Sequence, residues 1–242
     1  MWQFYPDRRS CQPMITKRVN LRSLFNQCIL CGCKTKTDHN VCHDCYKDLP
    51  WLRSCCDVCA LPLPENSNLL ICADCQKKKP AFDKVTALFE YRFPLDRIIG
   101  QIKYGKKPQL LGHLARVAAE LLDLPDDIDC IIPVPMHFVS QFRRGFNQSD
   151  LLASEIAKLL ELPIERNLLQ KTVSTKRQMT LPRATRLKNQ KDVFHCKPSH
   201  FKRVLLVDDV MTTGATLESA SLSLKKAGVE QIYVLVLART ER

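Results

Sequence analysis

A chain of 242 residues, 45% of them apolar, can bury the core of one good-sized α/β domain with a small satellite, so global disorder is excluded. No apolar run approaches the roughly 18 to 20 residues that span a bilayer, and the basic N-terminal residues have no apolar core behind them. The expectation is a soluble cytoplasmic protein with neither a secretory signal nor membrane insertion. The formal charge of +12 counts the cysteines as neutral; eight thiolates on two Zn²⁺ ions would lower it to about +8. A basic balance suits plain solubility and also an anionic partner such as a phosphate or nucleic acid.

Residues 1–27 show no clear period and read as a basic leader. The next segment is dominated by cysteine: of thirteen in the chain, eleven fall in the first 75 residues, leaving only Cys130 and Cys196 beyond them. That clustering indicates metal ligation in a reducing compartment, not a disulfide framework. Within residues 28–76 the pairs Cys28/Cys31, Cys42/Cys45, Cys56/Cys59 and Cys72/Cys75 are separated by 10, 10 and 12 residues, an internal duplication of one small unit. Each Cys-x2-Cys turn offers two sulfurs to one ion, and two turns close a tetrahedral structural site. The repeat favours consecutive pairing, with Cys28, Cys31, Cys42 and Cys45 on one Zn²⁺ and Cys56, Cys59, Cys72 and Cys75 on the other; a crossed pairing is the alternative. Cys33, Cys55, His39 and His43 are near enough to substitute but break the repeat. A unit this short cannot build a core without a staple, so the two ions are expected to be structural.

After a linker at Lys77, Lys78, Lys79 and Pro80, the pattern from residue 82 to 242 alternates strands and helices. Lys84 to Tyr91 alternates β-rich residues and predicts a strand; Pro94 to Lys103 and Gln109 to Leu122 predict helices. Cys130 to Val134 is a short apolar run suited to a strand covered on both faces. Ser149 to Leu160 places Leu152, Ile156, Leu159 and Leu160 on one helical stripe. Val204 to Val207 is a second buried strand. It is followed by a helix from Ala215 to Ala227 with Leu217, Ala220, Leu224 and Ala227 inward and Gly228 placed to cap it, then by a strand from Gln231 to Leu237. Strand-helix alternation predicts a parallel, helix-covered sheet. Between two of its strands, residues 171–203 hold ten Lys or Arg against one acid, Asp192. So long a loop inside a compact domain points to function.

Val204 to Val207 delivers Asp208 and Asp209 to the C-terminal edge of the sheet, where open α/β sheets bind ligands. Two carboxylates there can accept from the vicinal hydroxyls of a ribose. The turn Thr212-Thr213-Gly214-Ala215-Thr216 then opens a helix whose N–H groups, dipole and hydroxyls suit a phosphate. No Walker A lysine loop and no Gly-x-Gly-x-x-Gly is present.

The whole string R-V-L-L-V-D-D-V-M-T-T-G-A-T resembles the phosphoribosyl pyrophosphate (PRPP) signature of type I phosphoribosyltransferases. Ile131-Ile132-Pro133-Val134-Pro135, Arg143-Arg144-Gly145-Phe146-Asn147-Gln148, Ile102-Lys103-Tyr104-Gly105 and the cysteine-rich front end are similar to the ComF (competence protein F, GntX-like) branch. The resemblance implies an α/β type I phosphoribosyltransferase-like domain behind a double zinc ribbon, and a link to DNA uptake and natural transformation. It implies a site in which an acceptor displaces pyrophosphate at the ribose anomeric carbon, with Mg²⁺ accompanying PRPP. Asp208 and Asp209 would meet the ribose and Thr212, Thr213, Gly214, Ala215 and Thr216 its phosphate. Arg143 and Arg144 would hold the pyrophosphate, with Lys103 assisting and the segment around Lys176, Arg177 and Arg183 closing as a lid. The sequence does not name the acceptor. The other reading is a PRPP-sensing or single-stranded-DNA-binding adaptor working with DNA-uptake proteins. Residues 171–203 carry only Phe194 and Phe201 for base stacking, which weighs against DNA binding as the sole function.

Overall fold

The computed structural model describes residues 27–64, 69–105, 107–136, 141–142, 144–171 and 193–241; nearly all of the basic leader, and Arg143, Lys176, Arg177 and Arg183, lie outside them. The cysteine module contributes two one-turn helices, α1 (His43–Lys47) and α2 (Ala73–Lys77), each starting directly after a cysteine. The domain behind it comprises β1 (Lys84–Glu90), α3 (Leu95–Lys103), α4 (Leu110–Leu121), β2 (Cys130–Pro133), α5 (Gln148–Leu160), β3 (Leu169–Lys171), β4 (Phe194–Cys196), β5 (Arg203–Met211), α6 (Ala215–Lys226) and β6 (Gln231–Arg239).

Four strands make an all-parallel sheet in the order β1, β6, β5, β2. Alternate residues of the central strands serve opposite faces, so the apolar runs are continuous. Leu205, Val207, Leu235 and Leu237 pack with α3, α4 and α5, whereas Val204, Leu206, Val234 and Val236 pack beneath α6. The two halves of the cysteine module divide between these faces: Cys28, Val41 and Leu49 join the first cluster, and Cys56, Cys59 and Cys72 join the second. The module straddles the β1 edge. Leu52 donates to Leu88 O at 2.9 Å, Glu90 to Pro50 O at 2.8 Å and Val85 to Val58 O at 2.9 Å, pairing backbone groups that an edge strand would otherwise expose. Trp51 stacks between Tyr46 and Phe89, 4.7 Å from each ring, and reinforces the same seam.

Each strand and helix read from periodicity in this domain is present, within a few residues at its ends except where noted. Helix α6 stops as its sequence requires: Gly228 takes φ +105°, its N–H donates to Lys225 O and that of Val229 to Leu224 O, both at 3.1 Å. Two details differ. Leu159, expected on the buried stripe of α5, is 44% exposed, because Leu152 and Ile156 already fill the seam with the sheet. The stretch from 171 to 203, expected as a loop, includes strand: β3 and β4 pair antiparallel and lie against α6, where Ser223 Oγ donates to Phe194 O at 3.0 Å. Three-residue strands are too short to show a period.

Candidate functional site

The two aspartates are presented by the strand itself. β5 runs on past Val207 to Met211 because β6 pairs with it throughout, Asp208 opposite Val236 and Met211 opposite Arg239, and Thr240 donates to Met211 O at 3.1 Å. Successive strand residues face opposite ways, so the adjacent carboxylates acquire different partners. Asp208 Oδ1 accepts from Ser149 Oγ at 2.7 Å and from the Asp209 N–H at 2.9 Å. Asp209 Oδ2 pairs with Lys103 Nζ at 2.7 Å, both side chains being largely buried. Burial is the main force on Asp208, and the charge of Asp209 adds to it. Ser149 and Lys103 oppose both, and its carboxyl is pushed up to about 6.

Each neighbour is placed by a local device. Lys103 ends α3, and Ser149 stands in the first turn of α5, which Asn147 caps by accepting from the Ser149 N–H at 3.2 Å. The side-chain amide of Asn147 donates to Val134 O at 3.1 Å and ties the helix start to the end of β2. Gly145, at φ +84°, turns the preceding loop. Arg144 lies over the Tyr104 ring at 5.7 Å and donates to Gln148 Oε1 at 3.3 Å; Tyr104 follows Lys103 directly in the chain.

After Met211 the chain turns sharply. Gly214 takes φ +80°, a left-handed conformation that selects glycine; a Cβ there would meet only the flexible Met211 Cε, at 2.6 Å. Thr212, Thr213, Ala215 and Thr216 are exposed, and the N-terminus of α6 opens to solvent beside the carboxylates. Backbone donors, hydroxyls and a helix dipole at one place are groups of the kind that anions bind.

Three residues that sequence reasoning passed over belong to this region. Ser149 holds Asp208. Lys171, half-buried at the end of β3, has its ammonium 5.5 Å from the Phe194 ring; desolvation lowers its pKa while Asp208 favours its charge. Arg239, wholly buried, donates from Nη1 to the carbonyls of Met211 (3.1 Å) and Thr212, where the turn begins. None had a motif around it; only Lys171 carried a signal, as the first residue of the basic stretch.

The cysteines gather as the consecutive pairing predicts. The ligand atoms of Cys28, Cys31, Cys42 and Cys45 lie within 4.8 Å of one another, and so do those of Cys56, Cys59, Cys72 and Cys75; the crossed arrangement is excluded. Burial alone would raise the thiol of Cys28, yet the N–H groups of Cys42, Cys31 and Leu30 bring it down to about 6. Burial likewise opposes Cys56, and the N–H groups of Cys72, Cys59 and Val58 lower it to about 7. Other members of each cluster are pushed the opposite way by burial, Cys45 in the first and Cys59 and Cys75 in the second. Four cysteine sulfurs gathered at one point fit a closed structural zinc site. A magnesium ion has less to hold it: Ser149 occupies Asp208 Oδ1 and Lys103 occupies Asp209 Oδ2, leaving one oxygen on each carboxylate. That suits an ion that keeps most of its water and arrives with a phosphate ligand.

A parallel sheet with a carboxylate pair and a glycine turn at its C-terminal edge, joined to two four-cysteine clusters, defines a phosphoribosyltransferase-type domain carrying a zinc-ribbon module. Comparison agrees: residues 21–76 match the double zinc ribbon domain family, and residues 103–242 match the phosphoribosyl transferase domain family. Competence protein F of Haemophilus influenzae is 36% identical over 181 residues, 69% of this chain and 78% of that protein. The DNA utilization protein YhgH of Salmonella typhimurium is 30% identical over 224 residues, 88% and 96% of the two chains. Competence protein ComFC of Bacillus subtilis is 22% identical over 229 residues, 90% and 88%. The chain belongs to the ComF family. No helix among the described residues is long and apolar enough to cross a membrane.

Proposed function

We propose that this protein binds PRPP, or a closely related ribose phosphate, between its two carboxylates and the Thr212–Thr216 turn, and serves in the handling of imported DNA. The observation that carries this reading is the adjacency of Asp208 and Asp209, one on Ser149 and one on Lys103, to an open helix N-terminus. Such a pair accepts from vicinal hydroxyls while the turn receives the 5-phosphate. The names of the competence and DNA utilization relatives, together with the +12 charge, support the biological setting. In the domain plan we propose, the double zinc ribbon occupies residues 28–76 and the ligand domain residues 82–242.

In turnover the bond from the anomeric carbon to pyrophosphate breaks, a bond to the acceptor forms, and the acceptor gives up a proton. Lys103 and Arg144, with Arg143, act on the departing pyrophosphate by charge and position. Bound magnesium neutralises phosphate charge. The protein need not supply a nucleophile for this step; binding without turnover, as a PRPP-sensing or single-stranded-DNA adaptor, is the second form of the same reading.

Calorimetry with PRPP and Mg²⁺ tests the assignment. Asp208→Asn/Asp209→Asn should weaken binding by about 1.5 to 3 kcal/mol for each charged hydrogen bond lost, and equal affinity in the two proteins would remove the ribose site. Pyrophosphate release, assayed with bases, nucleotides and DNA as acceptors, separates the transferase from the adaptor.

A further inference from the structure

Arg239 is the largest fully buried side chain among the described residues. Its Nε donates to Cys59 O at 3.2 Å. Its Nη1 holds the carbonyls of Met211 (3.1 Å), Thr212 and Thr240 (3.2 Å), and Nη2 has no hydrogen-bond partner. Among the described residues no carboxylate forms an ion pair with it. A buried guanidinium without a counter-charge is costly enough to require a reason.

The second cysteine cluster supplies one. Cys56, Cys59 and Cys72 are all at most 5% exposed, whereas in the first cluster Cys31 is exposed and Cys42 and Cys45 are only half-buried. Four thiolates on Zn²⁺ carry a net charge near −2, and in the second cluster three of the four cysteines that would share it are buried, with Cys75 half-buried. No wall of core separates the two sites: a cleft of about 270 Å³ is lined by Cys59, Cys75, Thr213, Gly214 and Arg239 together.

We infer that Arg239 is a positioning residue shared by two sites, its Nε–Nη2 edge serving the second zinc cluster and its Nη1 fixing the carbonyls that begin the phosphate turn, so that zinc binding and ligand binding are coupled. The zinc arm stands on the cysteine cluster alone; the ligand arm rests on the ribose-phosphate reading. Zinc at Cys56, Cys59, Cys72 and Cys75 holds the arginine, and the arginine holds Met211 and Thr212 in the shape that presents the turn. A metal-free second cluster releases this restraint. The zinc ribbon is thereby part of the ligand site without touching the ligand.

Equilibrium competition with a chromogenic zinc chelator tests this on the intact wild-type protein, with ribose 5-phosphate as the probe. Saturating probe should raise zinc affinity at one of the two sites by about fivefold or more and leave the other unchanged, the usual lower range for coupled sites. By the same linkage, Cys75→Ser protein should bind ribose 5-phosphate more weakly by a similar factor. Arg239→Gln should weaken zinc at the second site by about 10- to 100-fold without any probe present, as loss of an outer-sphere partner does. Arg239→Lys keeps the charge and loses the fork, so it should recover part of the zinc affinity and none of the coupling. If ribose 5-phosphate binds the wild type and shifts neither zinc site, the coupling is wrong. If it does not bind at all, the ribose-phosphate reading fails and the coupling fails with it. The probe-free comparison of Arg239→Gln with wild type still decides the zinc arm, and equal zinc affinity there would overturn it.

Discussion

Replacing Asp208 by asparagine should make the protein more stable while it loses its ligand. The carboxyl rises from the ordinary 3.8 to about 6 because burial and the neighbouring Asp209 charge both disfavour ionisation. Its native state therefore holds the proton more tightly than the unfolded chain does, and stability falls as pH rises from about 4 to 6. The cost is then constant above that window. It amounts to about 3 kcal/mol at pH 8, roughly half of that at pH 5, and little at pH 4. Asparagine keeps an oxygen for Ser149 Oγ and carries no charge, so most of the penalty disappears. Urea unfolding of wild type and Asp208→Asn at pH 8 and pH 5 reads the difference directly. A variant that is less stable at pH 8, or a gap that does not narrow by pH 5, would refute the reasoning. The same titration should weaken ribose 5-phosphate binding as pH drops through about 6, because a protonated Asp208 has lost its charge as an acceptor.

Purified, reduced protein should contain two zinc ions, and Cys42→Ser should lose one and loosen the first half of the module, since structural metal binding is folding free energy; elemental analysis finding no zinc would defeat this. Gly214→Ala should destabilise the turn by about 1 to 2 kcal/mol for the left-handed backbone alone, with ligand affinity falling as well; unchanged unfolding and binding curves would argue against a rigid turn. Lys176→Ala/Arg177→Ala should impair PRPP binding and spare ribose 5-phosphate if this segment covers pyrophosphate. If it tracks a DNA backbone, the double variant should instead lose affinity for every single strand tested, with the salt slope shallower by about 0.7 per contact removed. Titration of all three ligands at several salt concentrations distinguishes these outcomes, and an unchanged variant would leave the segment a solvated loop.

Much of this protein is written locally in its chain. Two cysteines three residues apart already share a turn, so the repeat of such pairs names the eight ligands and favours consecutive pairing, and the fold removes the crossed alternative. An apolar run ending in Asp208-Asp209 and followed by Thr-Thr-Gly likewise fixes the strand and the turn locally, while the ligand it is read to take rests on the resemblance of the whole string to the PRPP signature. Tertiary structure alone decided the partners of those residues. Ser149 and Asp208 are 59 positions apart, and Arg239 lies 180 positions from Cys59. Neither a lone serine at a helix start nor an arginine at a strand end has a periodic signature, and each becomes meaningful only when the parallel sheet sets its end beside the other's. The short β3–β4 ladder, likewise, exists because α6 offers it a surface. Spacing along the chain sets which groups can form a turn together; burial and charge, which depend on the packed fold, set what those groups do.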